Sequence, residues 1–360
     1  MRIKKALFLG TLCTAVSGMS LFAQAGVSYA KSAKETTEAS SEEATEVETE
    51  EETSEEATYP ITIEHAFGET VIESKPERIA TVGWGNQDTP LALGIAPVGV
   101  SAANYGLVTD HKLHLWTDEA FADLGVEEPV VFDDVDGLDF EQISDCNPDV
   151  ILAAYSGMTQ EDYDTLSQIA PVIPYKENPW QTTWREQTIE NAEGMGMKPE
   201  GEKKVKEVED LIAEKLEEYP ELEGIPTAFC WISADDFSTF YVYLPTDPRA
   251  AYLLDLGFTL PESVQKLAGE SNDFSITVSR ENADQLDDIE MMVVYGDENL
   301  VETLQEDKLM SQIPAIKNGA VVVLDSTSAL AASSTPSILS IPYEIDEYLE
   351  MFAKAAENIK

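Results

Sequence analysis

Short apolar runs alternate with stretches of helical spacing over most of the chain. Strands are expected at 79–84, 98–100, 130–132, 150–155 and 172–175, with helices at 87–93, 139–146 and 160–167 between them. The alternation resumes with strands at 227–232, 241–244, 291–295 and 320–324 and helices at 249–256 and 343–355. Apolar runs that carry no polar alternation are buried on both faces, so the pattern predicts parallel sheet covered by helices, an α/β fold. A small hairpin precedes it, where Ile61-Thr-Ile and Thr70-Val-Ile flank Phe67-Gly68-Glu69. One segment breaks the rhythm. From 200 to 219, Val205, Val208, Leu211, Ile212 and Leu216 recur at helical spacing with charges between them, and Pro220 and Gly224-Ile225-Pro226 end the run.

The first 58 residues follow different rules. Arg2, Lys4 and Lys5 precede a stretch without charge to Ala30, and small residues stand at Ser28-Tyr29-Ala30 and Ala23-Gln24-Ala25. Residues 1–30 therefore read as a secretory signal peptide, the alternative being an uncleaved anchor. Cys13 follows Gly10-Thr11-Leu12, which lacks the small residue that lipoprotein processing needs just before the cysteine. Residues 31–58 hold eleven glutamates and two lysines among Ser, Thr and Ala. Such a segment buries too little to offset its ordering entropy, and is expected to be a disordered acidic linker.

About 300 residues remain, enough for two lobes. The net charge of −47 excludes a nucleic-acid partner, which needs cations on the phosphates, and it disfavours a strongly anionic ligand. Beyond Cys13 only Cys146 and Cys230 occur, and both are expected as buried free thiols. An internal echo supports lobe duplication: Glu141, Ile143 and Tyr155 match Glu281, Ala283 and Tyr295 at a constant offset, each set a short helix opening on glutamate and feeding a strand that ends in tyrosine.

Several stretches in order then resemble one family. They are Lys75-Pro-Glu-Arg-Ile-Ala-Thr-Val-Gly-Trp-Gly, Leu93-Gly-Ile-Ala-Pro-Val-Gly-Val, Asn147-Pro-Asp-Val-Ile-Leu-Ala-Ala-Tyr-Ser-Gly157, Pro179-Trp-Gln-Thr-Thr-Trp-Arg185 and Ile313-Pro-Ala-Ile-Lys-Asn-Gly-Ala-Val. Residues 59–355 resemble the substrate-binding proteins of iron–siderophore ABC importers. The resemblance implies two Rossmann-like lobes with parallel-dominated sheets, at 59–197 and 224–360. A single long helix at 198–223 joins them, and the ligand lies in the cleft between. It implies an exported monomer, periplasmic or at the cell surface, that is not an enzyme. Such a protein carries no cofactor and hands an iron(III)–siderophore complex to membrane permease subunits. Glu141 and Glu281 take the positions that dock onto the permease. Glutamates favoured by the positive end of a helix are the plainer account of both.

A bulky chelate needs rings and a few placed donors. Trp84, Tyr155, Trp180, Trp184, Trp231, Tyr241 and Tyr243 fall at or near strand ends and are the expected ligand-binding aromatics; core packing is the rival reading for each. Arg185 and Arg249 stand out because only four arginines follow residue 2, and a guanidinium suits an oxyanion-rich ligand, a surface ion pair being the alternative. No cluster of Lys and Arg is visible, which favours a neutral or cationic chelate such as a hydroxamate. Three histidines, His65, His111 and His114, are too few and too close for a direct Zn²⁺ or Mn²⁺ carrier. A haem or cobalamin-type binder of the same fold is the alternative cargo reading. For an exported hydrolase, Tyr155-Ser156-Gly157 lacks the leading glycine of a nucleophile elbow.

Overall fold

The computed structural model describes residues 57–360 apart from 135–136, 234–235, 237 and 298. The expected signal peptide and nearly all of the acidic linker lie outside these residues.

The chain enters through an antiparallel hairpin of β1 (Ile61–His65) and β2 (Gly68–Ile72). Five strands then alternate with helices: β3 (Ile79–Thr81), α1 (Asp88–Ala92), β4 (Gly99–Ser101), α2 (Leu115–Asp123), β5 (Val131–Phe132), α3 (Phe140–Asp145), β6 (Val150–Ala153), α4 (Gln160–Leu166) and β7 (Val172–Pro174). They form one sheet, ordered β5-β4-β3-β6-β7 and parallel throughout. Nearly every residue of these strands is buried, as continuous apolar runs between two helical layers require. From β3 the chain moves to one side of the sheet, and from β6 to the other. The strand order therefore reverses between β3 and β6, and a crevice opens at their carboxyl ends.

Two helices follow, α5 (Trp184–Gly194) and α6 (Lys198–Leu216). In α6, Pro199 occupies the first turn, where its missing N–H costs nothing, and Val205, Val208 and Ile212 turn inward. They pack with Ile345, Tyr348, Leu349 and Phe352 of the terminal helix in the largest apolar core. Lys215 reaches Asp346 at 2.5 Å across the same seam. The regular helix ends before the expected 219, because Glu217, Glu218 and Tyr219 bond to carbonyls three residues back, a tightening last turn ahead of Pro220.

The second sheet takes β8 (Thr227–Trp231), β9 (Thr239–Tyr243), β10 (Ser275–Ser279), β11 (Met291–Tyr295) and β12 (Val321–Leu324), ordered β10-β9-β8-β11-β12. Its helices are α7 (Pro248–Asp255), α8 (Glu262–Ala268), α9 (Leu300–Glu306), α10 (Pro314–Asn318), α11 (Ala329–Ser333) and α12 (Ser340–Ala356). Strands β8, β11 and β12 pair in parallel, whereas β9 pairs antiparallel with both β8 and β10, so the sheet is mixed. β8 and β9 join directly within a few residues, which only an antiparallel pair permits. The order again reverses between β8 and β11, so this sheet too has its crevice at the ends that carry Trp231 and Tyr295. Cys146 and Cys230 are free thiols, the first part-buried and the second buried.

Candidate functional site

The turn after β3 is Gly83-Trp84-Gly85, with both glycines at positive φ, +82° and +68°. A Cβ on Gly83 would come within 2.7 Å of the Tyr155 carbonyl, so glycine alone lets this turn lie against the end of β6. Trp84 is pushed outward and remains 36 % exposed. Trp180 approaches from the connection after β7, and its indole lies on Gly157, where any side chain would collide with it. Trp180 meets Trp84 edge-on at 5.9 Å and Tyr155 at 5.4 Å. Beside these rings lies a cavity of about 350 Å³, lined in part by Ser101, Asn104, Asp134, Ser156, Gly157 and Asp162. Its walls come from the ends of β3, β4, β5 and β6, and none of the described residues lining it is Lys or Arg.

The rings continue into the second sheet. Trp84 stacks on Tyr105 at 6.5 Å and 13°, and Tyr105 meets Tyr295 edge-on at 5.5 Å. Tyr295 packs on Phe229, Phe229 on Tyr243, and Tyr243 stacks with Phe274 at 6.4 Å. The Tyr295 hydroxyl shares a 2.7 Å hydrogen bond with the Ser334 hydroxyl. Phe229 and Trp231 are two residues apart on β8, as are Tyr241 and Tyr243 on β9, so all four rings share one face of the sheet. Trp231 and Tyr241 are directly opposite in register, 5.7 Å apart, and about two-fifths exposed.

Burial raises the Tyr155, Tyr105 and Tyr295 phenols, and pushes Tyr243 up to about 12. These residues stay neutral near pH 7, and offer O–H groups rather than phenolate oxygens. Arg249 lies over the Tyr243 ring at 3.8 Å. Its Nε and one terminal nitrogen donate to the two oxygens of Asp247 at 2.8 and 2.6 Å, and Asp247 also caps α7. Burial opposes the charge on Arg249, but the bonds to Asp247 and its negative charge outweigh it and the guanidinium is held more firmly protonated than usual. The pair is close to neutral as seen from the cleft.

Of the residues expected at the ligand site, Trp84, Tyr155 and Trp180 come together in the first sheet, and Tyr243 and Arg249 in the second. Trp231 and Tyr241 meet each other on the same face as Tyr243. Trp184 and Arg185 do not join them, which corrects the expectation. Thr183 and Glu186 form a capping box, so Trp184 opens α5 and turns into the core, 2 % exposed, with its indole N–H on Asp255 at 2.9 Å. Arg185 covers that indole and is held by Glu209 of α6 at 2.6 Å and Asp255 of α7 at 2.7 Å. Its donors are engaged in an ion-pair network beside the spine helix. Tyr105, Phe229, Phe274 and Tyr295 were not expected at the site. Tyr295 was legible, because the echo that pairs it with Tyr155 places both at the end of the strand beside a crevice. Glu141 and Glu281 are exposed, each in the first turn of its helix.

A model of the periplasmic binding protein family matches residues 79–327. The chain belongs to that family. Among solved structures it is similar to PiaA of Streptococcus pneumoniae TIGR4 in complex with ferrichrome, at 47 % identity and a TM-score of 0.80, covering 83 % of this chain and all of that one. The petrobactin-binding protein YclQ of Bacillus subtilis is 25 % identical over 81 % of this chain and 88 % of its own. SirA of Staphylococcus aureus, complexed with staphyloferrin B, shares the fold at 23 % identity and a TM-score of 0.62, covering 83 % and 99 % of the two chains. The family consists of solute-binding proteins. Among the described residues no helix is long and apolar enough to cross a membrane, and no group of three or more metal-ligating side chains converges.

Proposed function

We propose that this protein is exported, captures a ferric siderophore in the cleft between its two sheets, and delivers it to an ABC importer. The observation that carries this reading is the continuous run of neutral rings from Trp180 and Trp84 through Tyr105 to Tyr295 and Tyr243, across both strand-order reversals. The rings supply stacking area, and the phenols and Ser101, Asn104 and Ser156 supply placed polar groups. On this reading iron arrives already wrapped in its chelator and is recognised through the chelator's outer surface.

The chelate class follows from charge. Arg249 is matched by Asp247, the cavity adds Asp134 and Asp162, and the whole chain carries −47. Among the described residues lining that cavity, a trianionic tris-catecholate would meet no Lys or Arg. A neutral ferric trihydroxamate asks for none, and a relative with 47 % identity holds ferrichrome. Co-elution of radioactive iron with the protein on gel filtration tests this: ferrichrome is expected to carry iron into the protein peak, and free ferric citrate is not.

Delivery is assigned to Glu141 and Glu281, one exposed carboxylate beside each sheet, meeting cationic residues of a permease. The double variant Glu141→Arg, Glu281→Arg is expected to bind ferrichrome as before and to lose iron uptake in cells. Normal uptake by that variant would remove both residues from the interface.

A further inference from the structure

We infer that Asn86 is the positioning residue of the ligand-facing corner, acting through Trp84 and Tyr155 without touching the cavity itself; its binding test rests on the ferric-chelate reading above. Asn86 lies in the turn that leads into α1, two residues beyond Trp84, and its side chain is fully buried. Every hydrogen-bonding capacity of its amide is used. Nδ2 donates to the carbonyls of Val82 at 2.8 Å and Tyr155 at 3.0 Å. Oδ1 accepts from the Tyr155 N–H at 3.1 Å, from Asn191 at 3.0 Å and from Gln187 at 3.2 Å.

These bonds join three separate pieces of chain. Val82 belongs to the end of β3, Tyr155 to the end of β6, and Gln187 and Asn191 stand one turn apart on α5. One amide thus clamps the two strands between which the sheet order reverses, at the point where the crevice opens. Gln187 completes the clamp by donating to the Trp84 carbonyl at 2.8 Å, while the Trp84 N–H donates to the Tyr155 carbonyl at 3.2 Å. The peptide groups on both sides of Trp84 are therefore fixed, although its indole remains partly exposed. Trp180 makes its edge contacts with both Trp84 and Tyr155, so its seat depends on the same clamp.

Only a carboxamide fits this position. Aspartate has the same shape but no N–H, and would turn an oxygen toward the carbonyls of Val82 and Tyr155; leucine or alanine would remove all five bonds. Generic burial does not explain the requirement, since apolar side chains fill the neighbouring core.

The test compares Asn86→Asp and Gln187→Met with the wild-type full chain. Gln187→Met keeps the volume and removes only the donor to the Trp84 carbonyl and Asn86. Two readouts are taken: near-ultraviolet circular dichroism of the indoles, with Trp84→Phe as reference, and the ferrichrome dissociation constant. Both variants are expected to lose the Trp84 component of the indole signal, and to weaken ferrichrome binding by about tenfold or more. Ile143→Val, a buried change in α3 that alters none of the clamp's hydrogen bonds, serves as the stability control. It is expected to lower the unfolding temperature and leave both readouts unchanged. If Asn86→Asp does not fold, Gln187→Met decides. Wild-type indole signals in the folded variants, with unchanged ferrichrome affinity, would overturn the assignment. If the wild type itself binds no ferrichrome, the ligand reading fails, and the circular dichroism alone decides the role of Asn86.

Discussion

Tyr105 meets Tyr295 edge-on at 5.5 Å, and through this contact the rings of the first sheet join those of the second. Tyr105 comes from the loop after β4, which also reaches across at Leu107, whose N–H donates to Ser328 at 3.1 Å, and at Gly106, where a Cβ would strike Ala332. The cleft floor is thus continuous. Replacing Tyr105 by alanine removes one edge contact and one stacked contact, together about 1–2 kcal/mol, so ferrichrome affinity is expected to fall about tenfold. Calorimetric titration of the variant measures it.

Asp247 and Arg249 are a partly buried pair, and the two partners are not equivalent. Asp247 is fully buried, accepts from Arg249 and caps α7; the Arg249 side chain is 18 % exposed. Asp247→Ala leaves an uncompensated guanidinium and an uncapped helix, and is expected to destabilise the protein by about 3–5 kcal/mol in urea unfolding. Arg249→Met, which keeps apolar contact with Tyr243, is expected to cost less.

Glu190 sets a pH dependence. Burial, followed by repulsion from Glu186, raises its carboxyl to about 8, with Lys176 opposing, and one oxygen has no hydrogen-bond partner. The native state therefore holds a proton that the unfolded chain releases near the ordinary glutamate value. The stability this proton supplies is full below that value, and falls as pH rises towards about 8. Glu190→Gln is expected to flatten the decline and to be the more stable form at pH 8. Urea midpoints between pH 5 and 8 check the sign.

Arg185→Ala separates the spine network from the cleft. Arg185 bridges α6 and α7 and covers Trp184. The variant is expected to unfold more readily, by about 1–2 kcal/mol given its partial exposure, with ferrichrome affinity unchanged within about twofold.

Much of this was legible in the chain. The parallel core of the first sheet followed from apolar runs such as Val150-Ile-Leu-Ala, and the spine from the spacing of Val205, Val208 and Ile212. β10 was missed because Ser275-Ile-Thr-Val-Ser is an edge strand with little buried surface, so its pattern is faint. The misplacement of Trp184 had a readable remedy: Thr183-Trp-Arg-Glu186 is a capping-box sequence, which puts Trp184 inside a helix rather than on a strand-end loop. The partners of Arg185 had no such signal. Glu209 and Asp255 lie 24 and 70 residues away, and in a chain with 69 acidic residues no single carboxylate stands out. Trp84, Tyr155 and Trp180 lie together because each falls at or near a strand end beside a reversal in strand order, which is where such folds open.

Intrinsic tryptophan fluorescence of the full chain, titrated with ferrichrome and with a ferric tris-catecholate, tests the central claim most directly. The cleft described here predicts saturable quenching by ferrichrome, largely lost in Trp180→Ala, and weaker binding of the catecholate. Tighter binding of the catecholate, or no response to any ferric hydroxamate, would contradict it.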